Sequence, residues 1–205
     1  MAFSLQHPFT ALVCGPTGCG KTQFTSKVIT SNIISPAPEE ILWCYGVYQD
    51  IFHSLVNVHF NEGLPDLKNF DGSKRTLLII DDLMHEADDK VTQIFTKGSH
   101  HRNISIMFLT QNLFHRSKHA RTMSLNAHYI ILFKSPRDVG QIGCLGRQMY
   151  PTRRGALFLG EAFRDATKRS YGYLFLDLKA STDEELRVRT NILPDESPQY
   201  VYLPK

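Results

Sequence analysis

Residues 15–22 read GPTGCGKT, a complete G-x-x-x-x-G-K-[ST] motif. Glycines at the fixed positions let backbone N–H groups surround a phosphate, because no Cβ intervenes and φ can be positive. In such a loop the lysine, here Lys21, contacts the β- and γ-phosphates, and the hydroxyl of Thr22 is a ligand of Mg²⁺. An apolar run at 9–14 precedes the motif and a helical pattern follows it, so the motif lies at the strand-to-helix junction that anion binding requires. The residues predicted to bind a nucleoside triphosphate are Gly15, Pro16, Thr17, Gly18, Cys19, Gly20, Lys21 and Thr22.

The composition is that of one globular domain. The 205 residues, 42% of them hydrophobic, are enough to bury one substantial core, so we predict a single domain over 1–205, with 197–205 as a flexible or docking tail. The sequence has no apolar run near the ~20 residues that span a bilayer, and no charged segment followed by an apolar stretch at its start. We therefore expect a soluble protein with no membrane partner.

The four cysteines indicate the compartment. Cys14, Cys19, Cys44 and Cys144 form no C-x-x-C pair and have no histidine at ligand spacing, which argues against a zinc site and a disulfide framework. We expect reduced thiols and an intracellular protein.

Charge is distributed unevenly along the chain. Residues 115–169 hold eleven Lys and Arg against three acids, a local net charge of +8, whereas the whole chain carries +3. A basic region beside a nucleotide site is what a partner with a phosphate backbone needs. The alternative is a solvated basic face without a partner.

Apolar runs without alternation indicate strands that are buried on both faces, as in a parallel sheet covered by helices. The predicted strands are 9–14, 41–45, 76–82, 104–110, 129–133 and 171–178, the last of them nearer an edge because its residues alternate. Helices are expected after the phosphate loop, at about 47–56, and where Ala87, Val91, Ile94 and Phe95 share one face before Gly98; residues 61–74 are expected to be a loop. This order predicts an α/β three-layer domain.

Polar residues at two predicted strand ends are candidates for catalysis, since ligands bind at the carboxyl ends of strands in open parallel sheets. Asp81 ends an apolar strand, as a Walker B acid that holds Mg²⁺ does. Asp82 is placed to orient or deprotonate an attacking water, which a hydrolase needs and a kinase does not. Gln111 ends the 104–110 strand, where its amide can contact a γ-phosphate and a water. A solvated strand end or a helix cap is the alternative for these polar groups.

The residues after Asp81 also exclude one class of protein. A regulatory GTPase has D-x-x-G after this strand, whereas the chain continues with Asp82-Leu83-Met84, and it has no N-K-x-D motif to recognise guanine. We therefore expect an adenine nucleotide.

Six further segments resemble the HerA/FtsK superfamily of DNA-pumping ATPases. Within it, the chain is most similar to the viral genome-packaging ATPases of the poxvirus type, especially those of Polinton (Maverick) elements and adintoviruses. The segments are 98–115 (GSHHRNISIMFLTQNLFH), 124–129 (SLNAHY), 134–138 (KSPRD), 147–151 (RQMYP), 176–179 (LDLK) and 189–196 (RTNILPDE).

This resemblance implies a P-loop NTPase three-layer sandwich of the additional-strand, catalytic-acid type. It assigns Lys21 and Thr22 to phosphate and Mg²⁺, Asp81 to the Walker B acid, Asp82 to the catalytic acid and Gln111 to a sensor. The sensor strand would lie between the Walker A and Walker B strands, and the nucleotide would be ATP with Mg²⁺.

The resemblance also implies a homo-oligomeric ring in which one subunit's arginine reaches the neighbour's γ-phosphate. Bacterial translocases have that arginine eleven residues before the glutamine, where this chain has His100; Arg102, nine before it, is our candidate. Lys97 and His101 are, with His100, the next candidates.

The activity that follows is a translocase that packages double-stranded DNA into a viral capsid, docking at the capsid or a portal-like vertex. Its location would be the host cell, in the nucleus or a viral factory, and the virion. A nucleotide or nucleoside kinase and a DNA-binding assembly protein switched by ATP are the alternatives.

Overall fold

A nine-stranded, mainly parallel sheet runs through the part of the chain that the structure describes. The computed structural model describes residues 3–66, 70–83, 88–98, 102–111, 118–137, 139–151 and 153–204. The strands are β1 (Leu5–Gln6), β2 (Thr10–Cys14), β3 (Ile34–Ser35), β4 (Glu40–Tyr45), β5 (His59–Glu62), β6 (Thr76–Asp81), β7 (Ile104–Thr110), β8 (Tyr129–Phe133), β9 (Tyr173–Asp177), β10 (Val188–Thr190) and β11 (Tyr200–Val201). The short strands β1 and β3 pair in a separate parallel sheet.

Helices connect most of the parallel strands. They are α1 (Lys21–Thr30), α2 (Asp88–Gln93), α3 (Lys118–Leu125), α4 (Val139–Met149) and α5 (Arg153–Ala166). A π-helical turn, Ile94–Gly98, continues α2, and 3₁₀ turns form at Asp50–Ser54 and Glu184–Leu186. No helix among the described residues is long and apolar enough to cross a membrane.

The strand order across the sheet is β11-β10-β9-β8-β2-β7-β6-β4-β5. The six strands from β8 to β5 are parallel, whereas β9, β10 and β11 each run antiparallel to their neighbour. Strand β7, which ends just before Gln111, lies between β2 and β6, as the resemblance implies for a sensor strand. The carboxyl ends of β2, β6 and β7 therefore meet at one edge.

Two apolar layers cover the two faces of this sheet, so the predicted three-layer α/β fold is confirmed. On one face, Phe24 and Val28 of α1 pack against alternate residues of the central strands, among them Val13 and Ile79. On the other face, buried residues of α2, α3, α4 and α5 pack against the intervening strand residues. The central strands β2, β6, β7 and β8 are buried along their whole length, in agreement with their unbroken apolar sequence.

Three predicted elements differ in the structure. The helix expected at 47–56 is only the 3₁₀ turn Asp50–Ser54. The loop expected at 61–74 begins inside β5, a half-exposed edge strand whose polar sequence gives no apolar run. The strand expected near an edge, β9, is buried at all five residues because β10 and β11 pair outside it.

The predicted amphipathic helix before β7 is present from Asp88 onward, with Val91, Ile94 and Phe95 buried. Ala87 lies outside the described residues. Helices α3, α4 and α5 were not predicted, and the last two pack against each other. They pack closely where Gly146 faces Gly155, since a Cβ on Gly146 would lie 2.5 Å from the carbonyl oxygen of Gly155.

Candidate nucleotide-binding site

The phosphate loop connects the buried strand β2 to the N-terminus of α1. Gly20 caps this helix with φ 108°, a left-handed conformation that favours glycine. The backbone N–H of Gly15 donates to the carbonyl oxygen of Thr110 at 3.1 Å and joins the loop to the end of β7. The ammonium of Lys21 donates to the carbonyl oxygens of Gly15 (2.7 Å) and Pro16 (3.1 Å). A positive charge and the open end of a helix thus meet within the loop, a combination that attracts phosphate.

A cavity of about 390 Å³ opens beside this loop. Lys21 and Thr22 of the loop line this cavity together with the three strand-end residues Asp81, Asp82 and Gln111, as the sequence predicts. The lining residues are Thr17, Gly18, Gly20, Lys21, Thr22, Gln23, Gln49, Asp81, Asp82, Gln111 and Tyr171.

Asp81 is the buried carboxylate of the cavity, with only 5% of its surface exposed. Burial raises the pKa of Asp81 to about 6; Asp82 adds to the shift, and the indole of Trp43, the ammonium of Lys21 and the hydroxyl of Thr22 oppose it. Its Oδ2 accepts a long hydrogen bond of 3.4 Å from Gln49 Nε2. A carboxylate beside a hydroxyl is a pair of hard oxygen donors, so this site fits Mg²⁺.

Asp82 differs from its neighbour in exposure and in backbone conformation. Its φ is 55°, a left-handed value that Asp and Asn adopt more readily than most residues. Asp82 is exposed, whereas Asp81 and Leu83 on either side of it are buried. Gln111 Nε2 donates to both carboxylate oxygens of Asp82, at 3.2 and 3.4 Å. The arrangement holds one solvent-accessible carboxylate, oriented by an amide, beside the phosphate loop.

Arg102 lies away from this cavity. It precedes β7, and its Nη1 donates to the carbonyl oxygen of Phe70 at 3.2 Å. The seven residues of β7 span roughly 23 Å, so Arg102 is at the sheet edge opposite to Gln111. His100, His101 and the side chain of Lys97 lie outside the described residues.

Three lining residues were not predicted from the sequence: Gln23, Gln49 and Tyr171. Gln49 follows β4, which is parallel to β6 and next to it. A polar residue shortly after a predicted parallel strand could therefore have identified Gln49 from the sequence. Tyr171 precedes β9, and nothing in its local sequence shows that this strand runs antiparallel.

Among the described residues, two other cavities have a volume similar to that of the site. One of about 450 Å³ is on the other side of the phosphate loop, and Tyr171 lines it as well. The other, of about 430 Å³, lies along α5 beside Tyr202 and Leu203, and no residue of the phosphate loop lines it.

Comparison with known proteins by sequence finds short similarities. No protein-family model matches the chain. Packaging protein 1 of Human adenovirus C serotype 5 is 43% identical over 37 residues, and packaging protein 1 of Snake adenovirus serotype 1 is 49% identical over 37 residues. Each match spans 18% of this chain and 8% of the adenovirus protein.

Comparison by structure extends over nearly the whole chain. The genome packaging NTPase B204 from Sulfolobus turreted icosahedral virus 2, in complex with AMPPCP, aligns with a TM-score of 0.54 and 11% identity, over 97% of this chain and 98% of B204. Its complex with ATP-gammaS aligns with a TM-score of 0.52 and 13% identity, over 96% of this chain. The chain therefore has the P-loop NTPase fold of a viral genome packaging NTPase.

Proposed function

We propose that this protein is an ATPase that moves double-stranded DNA into a viral capsid. The observation that carries the proposal is the single cavity in which the phosphate loop faces Asp81, Asp82 and Gln111. Two similarities support it: the full-length likeness to a packaging NTPase, and the short matches to adenovirus packaging proteins.

In the proposed reaction, Lys21 and the backbone N–H groups of the loop bind the β- and γ-phosphates. Thr22 and Asp81 would hold Mg²⁺, which neutralises charge on the phosphate oxygens when it is bound. Asp82 orients an attacking water and accepts its proton, since of the two carboxylates that line the cavity it is the exposed one. Gln111 fixes the carboxylate of Asp82 and contacts the water or the γ-phosphate.

The proposed ATPase works as a ring of identical subunits, a motor of the HerA/FtsK type. Arg102 is too far from the cavity of its own chain to act there, because β7 separates the two ends. In a ring it would act on the neighbouring subunit, where an arginine stabilises the charge that develops during phosphoryl transfer. Release from the carbonyl of Phe70 would accompany this step.

Double-stranded DNA is the proposed partner of the basic segment 115–169. Eight of its eleven basic side chains are described, and all eight are exposed. They are Arg121, Lys134, Arg137, Arg147, Arg154, Arg164, Lys168 and Arg169. Exposed cations contact phosphates regardless of base sequence, as a motor that moves along DNA requires. The proposed setting is an infected host cell, with docking at a capsid or portal-like vertex.

Measuring ATP hydrolysis with and without duplex DNA tests this proposal. We expect hydrolysis that duplex DNA stimulates. Transfer of the γ-phosphate to a nucleoside or nucleotide, with no effect of DNA, would indicate a kinase instead. ATP-dependent DNA binding without turnover would indicate a switch protein.

A further inference from the structure

Tyr171 occupies an unusual position between the two cavities that flank the phosphate loop. It lines the 390 Å³ cavity with Asp81 and Asp82, and also the 450 Å³ cavity on the other side. Its ring lies against the loop, since a Cβ on Gly20 would be 3.1 Å from Cδ1 of Tyr171. Even so, 66% of Tyr171 is exposed.

The sheet order gives the direction in which a bound nucleotide extends. Asp81 and Asp82 end β6, which lies two strands from β2 on one side; β8 and β9 lie on the other side. Because β9 is antiparallel to β8, its first residue is at the same edge as the carboxyl ends of the parallel strands. A triphosphate whose γ-phosphate faces Asp82 therefore directs its base end towards Tyr171. Four strand spacings, roughly 19 Å, separate β6 from β9.

The second cavity places an aromatic ring beside the phosphate loop. Tyr171 supplies this ring, on which a nucleobase can stack, and three cations also line the cavity. The lining residues are Pro16, Thr17, Gly18, Cys19, Lys134, Pro136, Lys168, Arg169, Ser170, Tyr171 and Gly172.

The turn that carries Tyr171 is tightly built. Gly172 N donates to the carbonyl oxygen of Arg169 at 3.1 Å, which makes Tyr171 the third residue of a four-residue turn. Thr167 Oγ1 donates to the carbonyl oxygen of Phe163 at 2.7 Å and fixes the preceding residues to the end of α5. A Cβ on Gly172 would collide with the carbonyl oxygen of Ala166.

Tyr171 has φ 61° in this turn, a left-handed conformation that is unfavourable for a bulky residue. Glycine or asparagine is the usual choice there. The chain thus holds a large exposed ring in a strained conformation beside the phosphate loop, and such outliers cluster at ligand sites.

From these observations we infer that Tyr171 stacks on the nucleobase of the bound nucleoside triphosphate. This inference rests on the proposed nucleotide site and adds to it a residue that holds the base. Stacking on one aromatic ring accepts any base, because every base has a π-face.

The test compares two ligands that share a phosphate chain, Mg·ATP and inorganic Mg·tripolyphosphate. We expect Tyr171→Gly to weaken ATP binding by roughly 5- to 150-fold, the range for loss of one base–aromatic contact, and to leave tripolyphosphate affinity unchanged. Tyr171→Phe keeps the ring and should retain most of the ATP affinity. Tyr200→Ala removes an exposed tyrosine from β11 and is the matched control.

Thermal unfolding separates stacking from damage to the fold. Glycine adopts the left-handed conformation readily, so Tyr171→Gly should melt no lower than the wild type. Unchanged ATP affinity in Tyr171→Gly, or an equal loss for ATP and tripolyphosphate, overturns the inference. A wild type that binds both ligands but does not hydrolyse ATP would instead contradict the proposed function and leave the stacking result intact.

Discussion

Gln111 Nε2 lies 3.2 Å from Oδ2 of Asp82, although the two residues are 29 positions apart in sequence. They follow the neighbouring parallel strands β7 and β6, whose register pairs Leu109 with Asp81. Each strand is followed by one of these polar side chains. Because the two strands pair, the amide of Gln111 reaches the carboxylate of Asp82 and orients it.

Gln111→Ala should lower the rate of ATP hydrolysis far more than it lowers ATP affinity, because the amide positions Asp82 whereas the phosphate loop holds the β-phosphate. A displacement of about 1 Å can reduce a rate by roughly 10²-fold. Steady-state kinetics and equilibrium ATP binding measure the two quantities. In Asp82→Asn the extra effect of Gln111→Ala should nearly vanish, since residues that act as a unit are not additive. Fully additive losses would mean that the two residues act separately.

Lys21→Ala and Asp82→Asn should fail at different steps. Lys21→Ala removes the cation of the phosphate loop, so ATP affinity should fall. The Asp82→Asn variant should still bind ATP, but its turnover should be roughly 10²- to 10⁴-fold slower, because that is the usual contribution of a general base. Asparagine tolerates the left-handed backbone of Asp82, so the fold should be retained, as thermal unfolding can verify. Wild-type turnover in Asp82→Asn would contradict the role of this carboxylate.

Affinity for duplex DNA should be independent of base sequence and should weaken steeply with salt. Each phosphate that the protein neutralises contributes about −0.9 to the slope of log K against log salt. Arg154→Ala and Arg164→Ala on α5 should each make that slope shallower by about 1 if they contact phosphate. Lys74→Ala, an exposed lysine outside 115–169, is the control. A slope near zero, or strong preference among duplexes, would argue against a packaging motor.

Mixed rings should reveal whether Arg102 acts between subunits. Arg102→Ala and Asp82→Asn should each be nearly inactive, since an arginine supplied by a neighbour contributes roughly 10³ to 10⁵ in rate. In a mixture, some interfaces join an intact Arg102 to an intact Asp82, and turnover should recover. Inactive mixed rings, verified by mass photometry, would exclude Arg102 and direct attention to Lys97, His100 and His101.

His7 should make folding stability depend on pH. Its Nδ1 lies 2.5 Å from Ser105 Oγ and its Nε2 lies 2.9 Å from Asn103 Oδ1. Burial lowers the pKa of His7 below the ordinary 6.5, the hydrogen bond with Asn103 opposes this shift, and Arg75 and Lys179 add to it. At a pH between the lowered pKa of His7 in the folded chain and its ordinary pKa of 6.5 in the unfolded chain, the unfolded chain binds a proton that the folded chain does not. The free energy of unfolding therefore falls as pH drops below 6.5.

Denaturant unfolding at pH 7.5, 6.5 and 5.5 measures this effect. His7→Gln removes the titrating group, so the loss of stability towards pH 5.5 should be smaller than in the wild type. An unchanged pH dependence would show that His7 is not its source.

The parallel half of the sheet could be predicted because its strands are continuous apolar runs. Each apolar run is followed by a polar residue, Asp81 or Gln111, so the same pattern predicted both the strand and the candidate site residue at its end. The position of β7 between β2 and β6 was predicted from the family resemblance alone, because no local sequence pattern determines the order of strands in a sheet.

The strand at β9 was predicted, but its antiparallel direction, the strands β10 and β11, and helices α4 and α5 could not be, for reasons that the structure explains. Helix α4 contains Gly140, Gly143 and Gly146, and glycine lowers helix propensity. Gly146 is nevertheless needed, because α5 packs too closely to admit a side chain there. The hydroxyl of Tyr173 made the sequence of β9 look partly polar and so favoured an edge strand. In the structure this hydroxyl is buried, because it accepts a hydrogen bond from Ile192 N at 2.9 Å.

The reversal of chain direction at β9 brings Tyr171 to the edge where the parallel strands end, although Tyr171 belongs to a different part of the chain. Asp81, Asp82 and Gln111 stand at the ends of β6 and β7, so a length change in those strands would shift these three residues. The turn at Tyr171 is instead reached through α4 and α5, outside the register of the parallel strands. Insertions and substitutions in that turn would therefore change the cavity beside Tyr171 and leave the positions of Asp81, Asp82 and Gln111 unchanged.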